Sequence, residues 1–157
     1  MDSDFRELLK AFNDNGVEYL IIGGYAVIEY TEPYFTKDLD VWVRPNPENA
    51  IAVYKALKEF GAPLIEIKAE DFADESIFYQ MGRPPFRIDI MMAIPGVSFE
   101  DAWPRKTASQ FEDEPVYFIA REDLIENKLA CNRKEDRIHI KRLRDAVRFL
   151  RRKKRLS

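Results

Sequence analysis

Two aspartates one residue apart, in Thr36-Lys37-Asp38-Leu39-Asp40-Val41-Trp42-Val43, are the side chains of this chain best spaced to act together. Along a strand, successive side chains alternate between faces, so Asp38, Asp40 and Trp42 point one way while Leu39, Val41 and Val43 point into the core. Two carboxylates then converge on one spot, where they repel and one tends to keep its proton unless a cation intervenes. Magnesium, which takes hard oxygen ligands, resolves the conflict. Asp-x-Asp also occurs as a solvated strand end, so its surroundings must decide between the two.

Those surroundings favour phosphate chemistry. Tyr19 to Ile22 is a β-branched and aromatic run that reads as a buried strand, and Gly23-Gly24 follow at once, before a helical turn through Tyr25 to Tyr30. Glycines at a strand-to-helix junction let backbone N–H groups approach an anion, and the positive end of the helix favours phosphate there. A third acid lies in Phe86-Arg87-Ile88-Asp89-Ile90-Met91-Met92, where Phe86, Ile88, Ile90 and Met92 share one face and Asp89 takes the other. Alone, Asp89 reads as an edge residue. Beside the Asp38/Asp40 strand, it would complete three acids on one open sheet face, the arrangement that two-metal phosphoryl transfer needs.

The run of hydrophobic strand, Gly-Gly, Asp-x-Asp and a later strand bearing a third Asp resembles the DNA polymerase beta-type nucleotidyltransferase superfamily, over roughly residues 17 to 145. Within it, the short length and the tail resemble the minimal nucleotidyltransferases and the AbiEii-like, toxin–antitoxin-associated group. The resemblance implies that Gly23 and Gly24 bind the nucleoside triphosphate, that Asp38 and Asp40 hold magnesium, and that Asp89 binds metal or deprotonates the attacking hydroxyl. Similar proteins carry a Lys in a Leu-Ile-x-x-Lys helix beside the nucleotide, which implies the same for Lys128. The chain departs from the group's pattern twice. The Arg of Arg-x-Thr-x-Asp is replaced by Tyr34 in Tyr34-Phe35-Thr36-Lys37-Asp38. Where Lys-Asp-x-x-Asp is common, the chain has Lys134-Glu135-Asp136-Arg137-Ile138-His139, with His139 at the second acid position.

The elements that must position these residues follow from periodicity. Phe5, Leu8, Leu9 and Phe12 mark an amphipathic first helix ended by Asn15-Gly16, where glycine accepts the left-handed conformation. Pro45-Asn46-Pro47 closes the Asp-x-Asp strand, and Ala50, Val53, Tyr54 and Leu57 mark a helix that stops at Gly61. Strands are expected at 64–68, 76–81 and 86–92, with Gly82-Arg83-Pro84-Pro85 as a turn. A short helix over Phe99 to Arg105, a strand over Val116 to Ile119, and helices over 121–131 and 135–154 complete the reading. This predicts an α/β (α+β) fold, a mixed sheet with helices mainly on one face and two C-terminal helices. In the first of those, Leu124, Ile125 and Leu129 form an apolar stripe with Lys128 at its edge, either snorkelling past the core or aimed into a cleft. Trp42 and Tyr25 each either stack a base or pack.

Composition sets bounds. The 157 residues, 46% hydrophobic, suffice for one domain with an adequate core. A single cysteine, Cys131, allows no internal disulfide and, with His139 the only histidine, no ordinary zinc cluster. No apolar run approaches a membrane span, so a cytoplasmic protein is expected, without membrane partners. Net charge is −3 but unevenly divided: residues 133–157 hold twelve Lys/Arg against three Asp/Glu, and the remainder carries −12. In the last helix Leu143, Ala146, Val147 and Leu150 face inward, while Lys141, Arg144, Arg148, Arg151 and Arg155 form a basic stripe. It is either an RNA-binding surface or a solvated counterweight to the acidic body. His139 lacks a nucleophile at motif spacing, which leaves Ser-His-Asp chemistry without support. The expected activity is magnesium-dependent transfer of a nucleotidyl group from an NTP, ATP or CTP foremost, to a hydroxyl on RNA or protein. The alternative is a degenerate member that binds a nucleotide or a cognate toxin or antitoxin protein without turnover.

Overall fold

The β-branched run after Val17 becomes the centre of the sheet. In the computed structural model, which describes residues 3–83 and 85–156 and the side chains of 4–83 and 85–146, strand β1 (Tyr19–Ile22) is buried along its whole length. It lies between β2 (Asp38–Val43), to which it is antiparallel, and β6 (Glu114–Phe118), to which it is parallel. Beyond β2 comes the parallel strand β4 (Arg87–Met91), edged by β3 (Phe78–Met81), while β5 (Thr107–Phe111) edges β6. The order is β3-β4-β2-β1-β6-β5.

Cross-strand partners share a face, so the register sorts the sheet into two sides. Tyr19, Val41, Ile90 and Tyr79 lie on one of them. Helix α1 (Ser3–Asp14) covers that side, with Phe12 packed on Tyr19 at 5.7 Å between ring centroids, and Phe72 of the 3-10 turn Ala69–Ala73 packs on Tyr79 at the same distance. Helix α3 (Pro47–Phe60) packs against α1 and starts at Asn46, whose side chain accepts from the Asn49 N–H. Asn49, itself buried, accepts from Glu18 N–H and donates to the carbonyls of Glu18 and Arg44, which ties α3 to β1 and to the chain leaving β2. The other side carries the acids at one end. At its other end Trp42 is covered by helix α4 (Phe99–Ala102), with Phe99 edge-on at 5.0 Å. Helices α2 (Gly23–Tyr30), α5 (Arg121–Cys131) and α6 (Lys134–Leu156) complete the mixed α/β architecture.

One local expectation is corrected, and the structure decides between open readings elsewhere. Residues 64–68 form turns rather than a strand: Ile67 N–H bonds Leu64 O, Glu66 has φ +62°, and Ile65 is 88% exposed, so the segment has apolar residues but no strand to pair with. Strand β5 has no counterpart in the sequence reading, because Thr-Ala-Ser-Gln-Phe buries only Phe111. It hairpins to β6 through Glu112-Asp113, both at positive φ, the twist that two-residue hairpin loops favour. Trp42 shares the acids' side but is 1% exposed against Phe99, so packing rather than base stacking is its role. Tyr25 likewise packs edge-on against Phe5 and Phe111. Of the basic stripe, Lys141 and Arg144 are exposed, whereas the side chains of Val147, Arg148, Leu150, Arg151 and Arg155 lie outside the described residues, as does Pro84. Among the described residues no helix is long and apolar enough to cross a membrane.

Candidate active site

The parallel pairing of β2 and β4 sets Asp38 opposite Arg87 and Asp40 opposite Asp89. All four side chains therefore leave the sheet on one side, as the two-residue period of a strand requires. Asp89 is 5% exposed. Burial first, then the charge of Asp89 and a hydrogen bond to it, then Asp38, push the Asp40 carboxyl up to about 7, against the opposing pull of Arg87. Arg87 reaches Asp38 with Nη2 at 3.3 Å and lies 3.2 Å from Asp89 Oδ1 with Nε. That Nε–H is not aimed at the oxygen, and Asp89 Oδ1 is left buried without a hydrogen bond.

These carboxylates fit a hard cation. A carboxyl that holds its proton near neutrality because it is buried and its neighbour is also acidic, beside a carboxylate oxygen without a hydrogen bond, is an unbalanced arrangement that a divalent ion would correct. Among the described residues no three His, Cys, Asp or Glu side chains form a ready metal-holding group.

The glycine turn sits directly above. Helix α2 starts at Gly23 itself, with φ +67°, and a Cβ there would collide with Asp40 Oδ2. A Cβ on Gly24 would come within 2.8 Å of Thr36 Oγ1 and 3.3 Å of the Tyr34 hydroxyl. The first turn of α2 thus presses on the acid cluster from one side and on the segment leading into β2 from the other. Gly16 supplies a control for this crowding, having φ +66° and open space around the missing Cβ. Alanine at Gly16 meets only the left-handed backbone penalty of about 1–2 kcal/mol. Gly23→Ala is expected to lose clearly more in urea denaturation, because Asp40 must also move; equal losses would mean that the turn does not bear on the acid.

Lys128 lies elsewhere than at the edge of a stripe. It is 5% exposed, with Nζ 3.4 Å from Asp136 Oδ1, whereas Leu129, expected to face inward, is 44% exposed. Asp136, 1% exposed, is held as well by Arg133 through Nε at 2.7 Å, Nη2 at 3.1 Å and backbone N–H at 3.1 Å. Asn132, in the left-handed conformation, ends α5 and turns the chain into α6, so that Asp136 meets Lys128. No hydrogen bond or ion pair joins Lys128 to the three acids among the described residues.

Arg87 was not singled out by sequence as part of a site. The alternation Arg87-Ile88-Asp89 carried the signal for Arg87, since it shares Asp89's face. Tyr34 and Asp136 entered the sequence reading only within the two segments compared with the resembled motifs, and their partners became visible only in the structure.

No family model matches the chain, and no curated protein matches it in sequence. Solved structures do resemble it. The lincomycin-bound crystal structure of the lincosamide antibiotic adenylyltransferase LnuA superposes with a TM-score of 0.56 at 13% identity, over 93% of this chain and 98% of that one. The fold is that of the nucleotidyltransferases. The solution structure of the antibiotic-resistance factor ANT(2'')-Ia aligns at a TM-score of 0.54 and 14% identity, over 94% of this chain and 83% of that one. An antigenic nucleotidyltransferase-like protein from Paracoccidioides brasiliensis aligns at 0.52 and 13%, over 93% and 75%.

Proposed function

We propose that the protein transfers a nucleotidyl group from a magnesium-bound nucleoside triphosphate, ATP or CTP foremost, to a hydroxyl on RNA or protein. The observation that carries this reading is Asp40 directly across from Asp89 on neighbouring parallel strands, under a glycine turn that leaves no room for a side chain. The nucleotidyltransferase fold of the whole sheet supports it. Asp38, Asp40 and Asp89 would hold the magnesium, which when bound supplies activation of the acceptor hydroxyl and neutralisation of triphosphate charge. Backbone N–H groups at Gly23 and Gly24, with the positive end of α2, would take the phosphates. Asp89 would accept the hydroxyl proton as the acceptor oxygen bonds to the α-phosphorus. The bond from that phosphorus to the β-phosphate oxygen then breaks and pyrophosphate leaves. Arg87, in reach of Asp38 and Asp89, offsets part of the negative charge assembled there.

The test is incubation with each labelled NTP and magnesium against total RNA, cellular protein and lincomycin as separate acceptor pools, with pyrophosphate release measured alongside. In the pool that accepts label, Asp89→Ala is expected to lower turnover by on the order of 100-fold or more, the usual worth of a positioned base, and to weaken nucleotide binding far less. Tight NTP binding without pyrophosphate release from any pool would replace the enzyme with a nucleotide-binding partner, the role that a toxin–antitoxin pair would give it.

A further inference from the structure

Tyr34 and His139, the two places where the chain leaves its resembled pattern, touch each other. Their ring centroids are 5.9 Å apart with planes inclined by 27°, and Arg142, one turn beyond His139 on α6, lies over the same tyrosine ring at 5.6 Å. The Tyr34 hydroxyl donates to the Gly24 carbonyl at 3.3 Å. His139 is 8% exposed and its Nδ1 has no hydrogen-bond partner, so its ring is used through its face rather than its polar edge. Burial, and then the charge of Lys128, hold it below its ordinary pKa and therefore neutral, which suits a stacked ring.

We propose that Tyr34 and His139 form a clamp through which α6 fixes the glycine turn over the acids, making Tyr34 a positioning residue for the nucleotide's phosphates. Its bearing on nucleotide rests on the function proposed above; the clamp itself rests on the contacts. Charges of both signs surround the pair: Glu135, Arg142 and Asp40 act on Tyr34, and Lys128, Glu135, Arg142 and Asp136 act on His139. Either charged exchange alone gives up the ring stack with nothing across the gap to replace it, whereas the two together place an ion pair there.

Four variants decide it: Tyr34→Phe, Tyr34→Arg, His139→Asp and the double exchange Tyr34→Arg/His139→Asp. Calorimetry with magnesium and a non-hydrolysable ATP or CTP analogue is expected to show each charged single variant weakened about 10-fold and the double variant back within about 3-fold of wild type, the non-additivity of groups in contact. Tyr34→Phe keeps the stack but not the hydroxyl. It is expected to keep the wild-type urea midpoint yet bind nucleotide several-fold more weakly, a split that a merely structural ring would not produce. Losses that multiply in the double variant, or a Tyr34→Phe protein with unchanged affinity, overturn the clamp. If wild type binds no magnesium nucleotide, the proposed function fails by itself. The urea midpoints then decide the clamp: recovery in the double variant supports it, and additive loss overturns it.

Discussion

Replacing both Asp38 and Asp40 by asparagine is expected to abolish magnesium-dependent nucleotide binding while leaving the protein folded. Asparagine keeps the shape of each side chain but removes the charge that a hard divalent ion requires. Asp38→Asn also gives up the partly exposed pair with Arg87, worth at most about 1 kcal/mol. Calorimetry with ATP, CTP, GTP and UTP on the two proteins measures the result, and unchanged binding in the double variant would end the metal-site reading.

The same exchange at Asp40 alone carries an opposite effect on stability, with a definite pH dependence. The Asp40 carboxyl stands at about 7 in the folded protein against an ordinary 3.8. Below pH 4 it is protonated in both states and folding is unaffected. As pH rises from about 4 to 7 the unfolded chain gives up the proton and the folded one retains it, so stability falls, and above about pH 7 the loss is complete. A shift of this size corresponds to on the order of 2–4 kcal/mol. Asp40→Asn removes that loss. In EDTA it is expected to be more stable than wild type at pH 8 and about equal at pH 4, and magnesium should narrow the gap by stabilising wild type alone. A variant less stable than wild type at pH 8 would mean that Asp40 is not strained by its neighbours.

The acids and the glycine pair were legible because their information is local. Alternation places Asp38, Asp40 and Asp89 opposite Leu39, Val41, Ile88 and Ile90, and a glycine pair at a strand end announces a tight junction. What alternation could not supply was that β2 and β4 are neighbours, the fact that turns three acids into one cluster. Trp42 shows the limit from the other side: the strand period assigned its side of the sheet, but only the chain returning through Phe99 decides that this end is closed. Leu129 was read into the apolar stripe of its helix yet is 44% exposed, because hydropathy alone does not say which side of the stripe a neighbour covers. Lys128, open in sequence between snorkelling and a cleft, is buried against Asp136, a partner that the left-handed turn at Asn132 delivers from another helix. The strand expected at 64–68 and the unread β5 share one cause: a segment becomes a strand by having an edge to pair with, and short sequences do not say where edges are.

Truncating one partner of the buried pair of Lys128 and Asp136 is expected to carry a large stability effect. Truncating Asp136 to alanine leaves an ammonium group 5% exposed with no carboxylate, and uncompensated buried charges of this kind cost about 3–5 kcal/mol. Removing the other partner is a different matter. In Lys128→Met the aspartate keeps three hydrogen bonds from Arg133, while a long cationic stem gives way to an apolar one of similar volume, so the change is expected to stay within about 1 kcal/mol. Burial by itself would raise the Asp136 pKa, but the Arg133 hydrogen bonds and the Lys128 charge outweigh it and hold the carboxyl below its ordinary value. Its contribution is therefore present above about pH 4 and lost as pH falls further, and the gap between wild type and Asp136→Asn should close in acid. Urea midpoints of the three variants at pH 7 and pH 3 test each of these statements. Lys128→Met also separates two roles for the lysine. An unchanged midpoint with nucleotide affinity cut about 10-fold or more would make Lys128 a phosphate ligand reached through a change of partner, whereas unchanged affinity would leave it as the counter-ion that docks α6 onto α5.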